Sequence, residues 1–135
     1  MGTIKTADIE RMIKRTKHLD MKVIEENAPP EFSEFVLEQI RERNIKRSVL
    51  IRVLNVDRNY GYQILNGTRV PTREQIIHIA LFLGLDYPST QKMLTLAKRD
   101  CLYVRRSEDA RIVHCLEHHL PYDRACEFIW GEEQG

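Results

Sequence analysis

Residues 47–67 read R-S-V-L-I-R-V-L-N-V-D-R-N-Y-G-Y-Q-I-L-N-G, and the fold turns on whether this stretch is helical. Val49-Leu50-Ile51 and Val53-Leu54 form an apolar, largely β-branched run that propensity alone accepts as a buried strand. A strand needs a partner, and every neighbouring segment has helical period, so a short helix is expected over Ser48–Leu54. Asn55-Val56-Asp57 then makes a tight turn. Asn tolerates positive φ better than most residues other than glycine. Asp57 is placed to cap a second helix over Arg58–Asn66, and Gly67 is placed to end it. Two short helices joined by such a turn are the parts of a helix-turn-helix. Leu50, Leu54, Val56 and Ile64 supply its buried side. Arg58, Asn59, Tyr62 and Gln63 fall on the outer face of its second helix.

The segments on either side are also helical by pattern. Asp8–Glu26 carries Ile9, Met12, Ile13, Val23 and Ile24 between charges and reads as an amphipathic helix. Pro29-Pro30 separates that arm from the rest, and Pro30 suits the first turn of a helix near Glu31–Arg43. The stripe of that helix is Phe32, Phe35, Val36 and Ile40. Asn44 can stop it in a left-handed conformation, with Ile45 packing back. Thr72-Arg73-Glu74-Gln75 is a capping-box pattern. It opens a helix carrying Ile76, Ile77, Ala80, Leu81 and Leu83 that ends at Gly84. A further helix is expected over Ser89–Arg99. Ser107 is expected to cap one through His119, buried along Ala110, Ile112, Val113 and Leu116. Pro121 opens a last helix with Ala125, Phe128, Ile129 and Trp130, which either complete the core or form an interface. The expected class is all-α, divided as an arm (1–30), a helix-turn-helix domain (31–99) and a two-helix C-terminal extension (100–135).

Composition narrows the class of function. The chain has 135 residues, 42% hydrophobic and 30% charged, the balance of an ordinary folded protein. No apolar run approaches the roughly 18–20 residues that span a bilayer, and residues 1–14 have no signal-peptide core, so a cytoplasmic location is expected. Cys101, Cys115 and Cys126 are odd in number and widely spaced, which fits a reducing compartment rather than a disulfide framework. The net charge of +1 conceals an uneven distribution. Residues 43–73 hold seven basic side chains (Arg43, Lys46, Arg47, Arg52, Arg58, Arg69 and Arg73) against one acid, Asp57. Residues 100–135 hold four basic and eight acidic side chains. The basic stretch is a local footprint for a polyanion, or a solvated basic face.

Phe32–Lys98 resembles the Cro/phage-repressor (Xre-type, lambda-repressor-like) helix-turn-helix domain. The likeness lies in R-S-V-L-I-R-V-L-N-V-D-R-N-Y-G-Y-Q-I-L-N-G-T-R-V-P-T over residues 47–72 and I-I-H-I-A-L-F-L-G-L over 76–85. The N-G-x-R-x-P-T loop followed by an L-G-L helix end is its most specific part. L-Y-V-R-R-x-x-D-A-R-I-V onward looks like the C-terminal helical extension of a bacterial branch. Two positions depart from the pattern. Ile51 stands where the family has a small residue, and Gly61 stands where it has an aliphatic one. Those positions pack on each other in the family, so the two volumes look exchanged, which a core tolerates.

The resemblance implies sequence-specific binding of double-stranded DNA by a transcriptional regulator, without cofactor or metal and without catalysis. Arg47, Thr68, Arg69 and Arg73 are the implied phosphate contacts. Arg58, Asn59, Tyr62 and Gln63 are the implied base readers, since Arg pairs with guanine and Asn or Gln with adenine. Tyr60 either packs inward or reaches a phosphate, and Asn66 either touches the backbone or caps the helix end. Such proteins commonly dimerise to meet two half-sites, so a second copy, or another protein on the N- or C-terminal helices, is an expected partner. The acidic C-terminal segment is expected to face away from DNA. The alternative is an adaptor that keeps the scaffold and binds protein only. His114 with His118, and Cys115 with His119, invite a metal, but the two pairs lie on helix faces about 100° apart. The chain has no phosphate-binding glycine loop, no G-x-S-x-G and no H-E-x-x-H.

Overall fold

Residues 76–83 read I-I-H-I-A-L-F-L, apolar on almost every side. A helix of that kind must be surrounded, and it becomes the axis of the protein. The structure, a computed structural model, describes residues 31–131, and every regular element among them is an α-helix. These are α1 (Glu31–Glu42), α2 (Arg47–Leu54), α3 (Arg58–Leu65), α4 (Arg73–Leu83), α5 (Tyr87–Leu96), α6 (Ser107–Glu117) and α7 (Tyr122–Trp130). The arm over 1–30, with its expected helix, lies outside the described residues. The axial helix is α4, which packs against α2, α5, α6 and α7. Ile76, Ile77, Ile79, Ala80, Leu81 and Leu83 are all buried along it. One hydrophobic core runs from Phe32 in α1 to Ile129 in α7.

Most helix ends follow from residues within one turn. Asn44 and Asn55 both take the left-handed conformation, each at φ 54°. Ile45 N–H returns to the Ile40 carbonyl at 2.9 Å, which closes the end of α1. The Asp57 carboxylate accepts from Asn59 N–H at 2.8 Å and Tyr60 N–H at 3.4 Å, capping α3. Thr72 and Gln75 form the full capping box at the start of α4, and Gly84 ends it at φ 68°. The strand alternative for residues 49–54 is gone: α2 is a helix and packs against α3 and α4.

Two expectations are corrected. The helix placed over Ser89–Arg99 is α5, Tyr87–Leu96: Asp86 accepts from Ser89 N–H at 2.8 Å, and Pro88 sits in the first turn, where its missing N–H costs nothing. Ser107 does not cap α6. It is the first helical residue, and Arg106 is the N-cap without a side-chain bond. The register of α6 is set instead by Asp109, which points inward. The buried stripe is Asp109, Ile112, Cys115 and Leu116, while Ala110 and Val113 are only half-buried. The Asp109 carboxylate meets Arg73 of α4 at 2.9 Å and accepts from Tyr103 N–H at 2.8 Å.

The last helix divides its aromatic end. Ile129 is buried, Trp130 stacks on His78 with centroids 4.5 Å apart, and Phe128 stays 49% exposed. The Tyr122 hydroxyl lies 2.8 Å from His78 Nδ1, joining α7 to α4. Burial pushes the Tyr122 hydroxyl well above the ordinary tyrosine range, so it stays protonated.

Candidate nucleic-acid interface

The α2–α3 crossing depends on a missing side chain. Gly61 is buried in the middle of α3, and a Cβ placed there would run into Ile51 of α2, lying 2.8 Å from Cγ1 and closer still to Cγ2. Ile51, 5% exposed, fills the space that an aliphatic residue at 61 would take. Ile51 and Gly61 therefore face each other across the two helices. Glycine in a helix interior costs about 0.5–1 kcal/mol relative to alanine, and here the close approach requires it. Leu50, Leu54, Ile64 and Leu65 bury the inner side of the pair.

With the inner side closed, the basic stretch divides into two groups. Arg43 turns back, donating from Nε to the Leu83 carbonyl at 2.8 Å and from Nη1 to Gln39. Arg73 donates from Nε to the Asp100 carbonyl at 2.8 Å and from Nη2 to the Cys101 carbonyl and Asp109. Both guanidinium groups are occupied in holding helices and loops together. Lys46, Arg47, Arg52, Arg58 and Arg69 are exposed, and none pairs with a carboxylate among the described residues. The one acid of the stretch, Asp57, is engaged as the cap of α3.

These five cations surround α3. Tyr62, half-buried, separates two open grooves. Arg41, Lys46 and Arg47 lie on one side, Arg52 and Arg58 lie on the other, and Ser48 lines both. The Arg58 guanidinium sits 5.8 Å from the centre of the Tyr62 ring, and that of Arg69 sits 5.1 Å from the Tyr60 ring. Resting on an aromatic face limits how far a long side chain wanders. Tyr60 thus packs partly inward and props Arg69 at the same time. Arg69 Nε also donates to Gln63 Oε1 at 2.5 Å. That bond engages one lone pair of the Gln63 oxygen and leaves the amide N–H donors for an outside acceptor. Asn59 is exposed on the first turn of α3. Asn66 binds its own loop, accepting from Thr68 N–H at 2.9 Å.

The helix starts differ as well. Asp57 closes that of α3. Lys46 is the N-cap of α2 and offers no side-chain bond, so the first-turn N–H groups of Arg47 and Ser48 remain open to an outside acceptor. The site therefore gathers Arg47, Arg58, Asn59, Tyr60, Tyr62, Gln63, Thr68 and Arg69 around one helix and leaves Arg73 out, committed to the α4–α6 corner. Sequence reading assigned no role to Ser48 or Arg52. Their i, i+4 spacing on α2, which puts them on one face, was the available signal.

Chemically, the face offers cations, amides and hydroxyls, with one carboxylate, Asp57, engaged as the cap of α3. Among the described residues, no group of three or more His, Cys, Asp or Glu is placed to hold a metal ion, and no helix is long and apolar enough to cross a membrane. No protein-family model, curated protein or solved structure matches the chain.

Proposed function

We propose that this protein binds double-stranded DNA through α2 and α3 and acts as a cytoplasmic, sequence-specific transcriptional regulator. The supporting observation is the division of charge. Five cations around α3 have no carboxylate partner among the described residues, while the only acid in residues 43–73 is engaged as a helix cap. Arg47, the open start of α2, Thr68 and Arg69 meet phosphates on either side of a groove. Asn59, Arg58 and Gln63 on α3 face the base edges. Through its N–H donors, Gln63 pairs with acceptors such as purine N7, guanine O6 or thymine O4. Of the large exposed hydrophobics Val70, Tyr103, Val104 and Phe128, none lies on α2 or α3, and Val70 alone adjoins the face, next to Arg69 in its loop.

The test is binding to random-sequence duplex across a salt series, followed by selection of preferred sites. Neutralising one phosphate contributes about −0.9 to the slope of log K against log salt, so the five cations of this face contribute at most roughly −4 to −5 for each bound copy. An enriched palindrome would give the spacing of two copies on half-sites. No binding at about 50 mM salt, a permissive condition for charge-driven association, overturns the proposal in favour of the adaptor. Arg58→Ala should lose about 1–3 kcal/mol of discrimination at one base position. Arg69→Ala should both lower the salt slope and relax preference, because Arg69 orients Gln63.

A further inference from the structure

The segment between α5 and α6, residues 97–106, has no regular structure but is held at many points. Arg99 Nε donates to the Pro71 carbonyl at 3.0 Å, and Arg73 reaches the Asp100 and Cys101 carbonyls. Gln91 clamps Leu102 twice, donating to its carbonyl at 3.1 Å and accepting its N–H at 2.7 Å. The buried Asp109 carboxylate holds Arg73 and Tyr103 N–H on the same oxygen. Arg106 N–H bonds the Tyr103 carbonyl at 2.9 Å, which closes the turn Tyr103–Arg106. These anchors on Pro71 and Arg73 lie directly after the loop that carries Thr68 and Arg69. The turn is thus tied to the start of α4, into which the Thr68–Arg69 loop leads.

What the turn displays is cationic. Arg105 and Arg106 are exposed, and neither side chain has a hydrogen-bond or ion-pair partner among the described residues. Tyr103 is 53% exposed beside them. The nearest exposed acids, Asp100 and Glu108, flank the turn three and two residues away. We infer that Tyr103–Arg106 is a second phosphate-contacting site, which extends the DNA footprint past α3 along the duplex backbone. This rests on the proposed DNA binding. The turn carries no Asn or Gln, so it adds affinity and register rather than base preference. Its anchoring means that little ordering is needed when it meets the polyanion. The net acidity of residues 100–135 conceals this, because eight acids there outnumber four basic side chains, two of which are Arg105 and Arg106.

The experiment uses the full chain on random-sequence duplex. Arg105→Ala with Arg106→Ala should make the salt slope shallower by about 1.8, two contacts at 0.9 each. It should also shorten the hydroxyl-radical footprint on one side and leave the selected sequence unchanged. Lysine at both positions should retain slope and footprint, since a phosphate accepts either cation. Arg124→Ala, an exposed arginine of α7, should change neither. Wild-type binding with an unaltered slope and footprint in the double-alanine variant overturns this inference alone, as does an equal effect of Arg124→Ala. A wild-type chain that fails to bind any duplex overturns the proposed function and this site with it.

Discussion

On the α2–α3 face, Arg47, Arg52 and Arg58 stand in solvent without an acid partner among the described residues. At the corner of α4 and α6, Arg73 has three acceptors, one of them a carboxylate only 3% exposed. Both sets come from the same basic stretch of sequence. The first remains hydrated and free to meet a ligand. The second replaces water with fixed partners and ties the α5–α6 loop to the start of α4. An exposed cation adds almost nothing to stability, whereas a buried acid with one cation becomes a liability as soon as that cation is lost. The comparison separates what the protein uses to bind from what it uses to hold itself together.

The largest expected effect tests the corner. Asp109→Ala leaves the Arg73 guanidinium short of a partner and Tyr103 N–H without its acceptor. Breaking a buried pair costs about 3–5 kcal/mol, and the partial exposure of Arg73 puts the expected loss near 3. Arg47→Ala or Arg58→Ala should stay within about 0.5 kcal/mol. Urea denaturation reads both, and equal losses would erase the distinction between the regions.

A smaller effect tests the crossing that supports the binding face. Gly61→Ala gains helix propensity but drives a methyl into Ile51, for a net loss of about 1–2 kcal/mol. In an Ile51→Ala background the same methyl enters vacated space, so the change should become neutral or stabilising. A double-mutant cycle with no coupling would show that the two positions do not share volume.

The smallest effect concerns an exposed acid rather than a buried one. Ser89 N–H and its hydroxyl hold the Asp86 carboxyl below its ordinary value. The folded-state value is depressed, so this contribution is complete above the ordinary aspartate range and fades as pH falls through the lowered value. Asp86→Asn should melt slightly earlier at neutral pH and lose that part of the acid dependence. A melting curve against pH with the wild-type shape in the variant would remove Asp86 from the account.

Much of the fold was legible because its signals are local. Asn44 and Asn55 at positive φ, Asp57 over α3, the Thr72–Gln75 box and Gly84 each act within five residues or fewer. The helical state of residues 49–54 was legible only from the neighbours, because the run itself favours a strand. The Ile51–Gly61 exchange needed the family resemblance, since nothing in either segment alone says that the two positions touch. The site was legible in membership but not in detail. Gln63 and Arg69 were expected to act separately, yet one bond joins them. The inward turn of Asp109 had no local sign at all: an acid in the first turn of a helix is ordinarily a surface residue near the positive end of the dipole.

The sequence by itself determined where the chain turns and stops, because backbone conformation and capping depend on side chains a few bonds away. It also determined that residues 43–73 carry a large excess of positive charge. Tertiary structure alone decided which of those charges are free. Arg43 meets a carbonyl 40 residues away and Arg73 a carboxylate 36 residues away. Hydration and pairing belong to the neighbours that folding brings together, and the identity of an arginine specifies its charge without specifying what surrounds it.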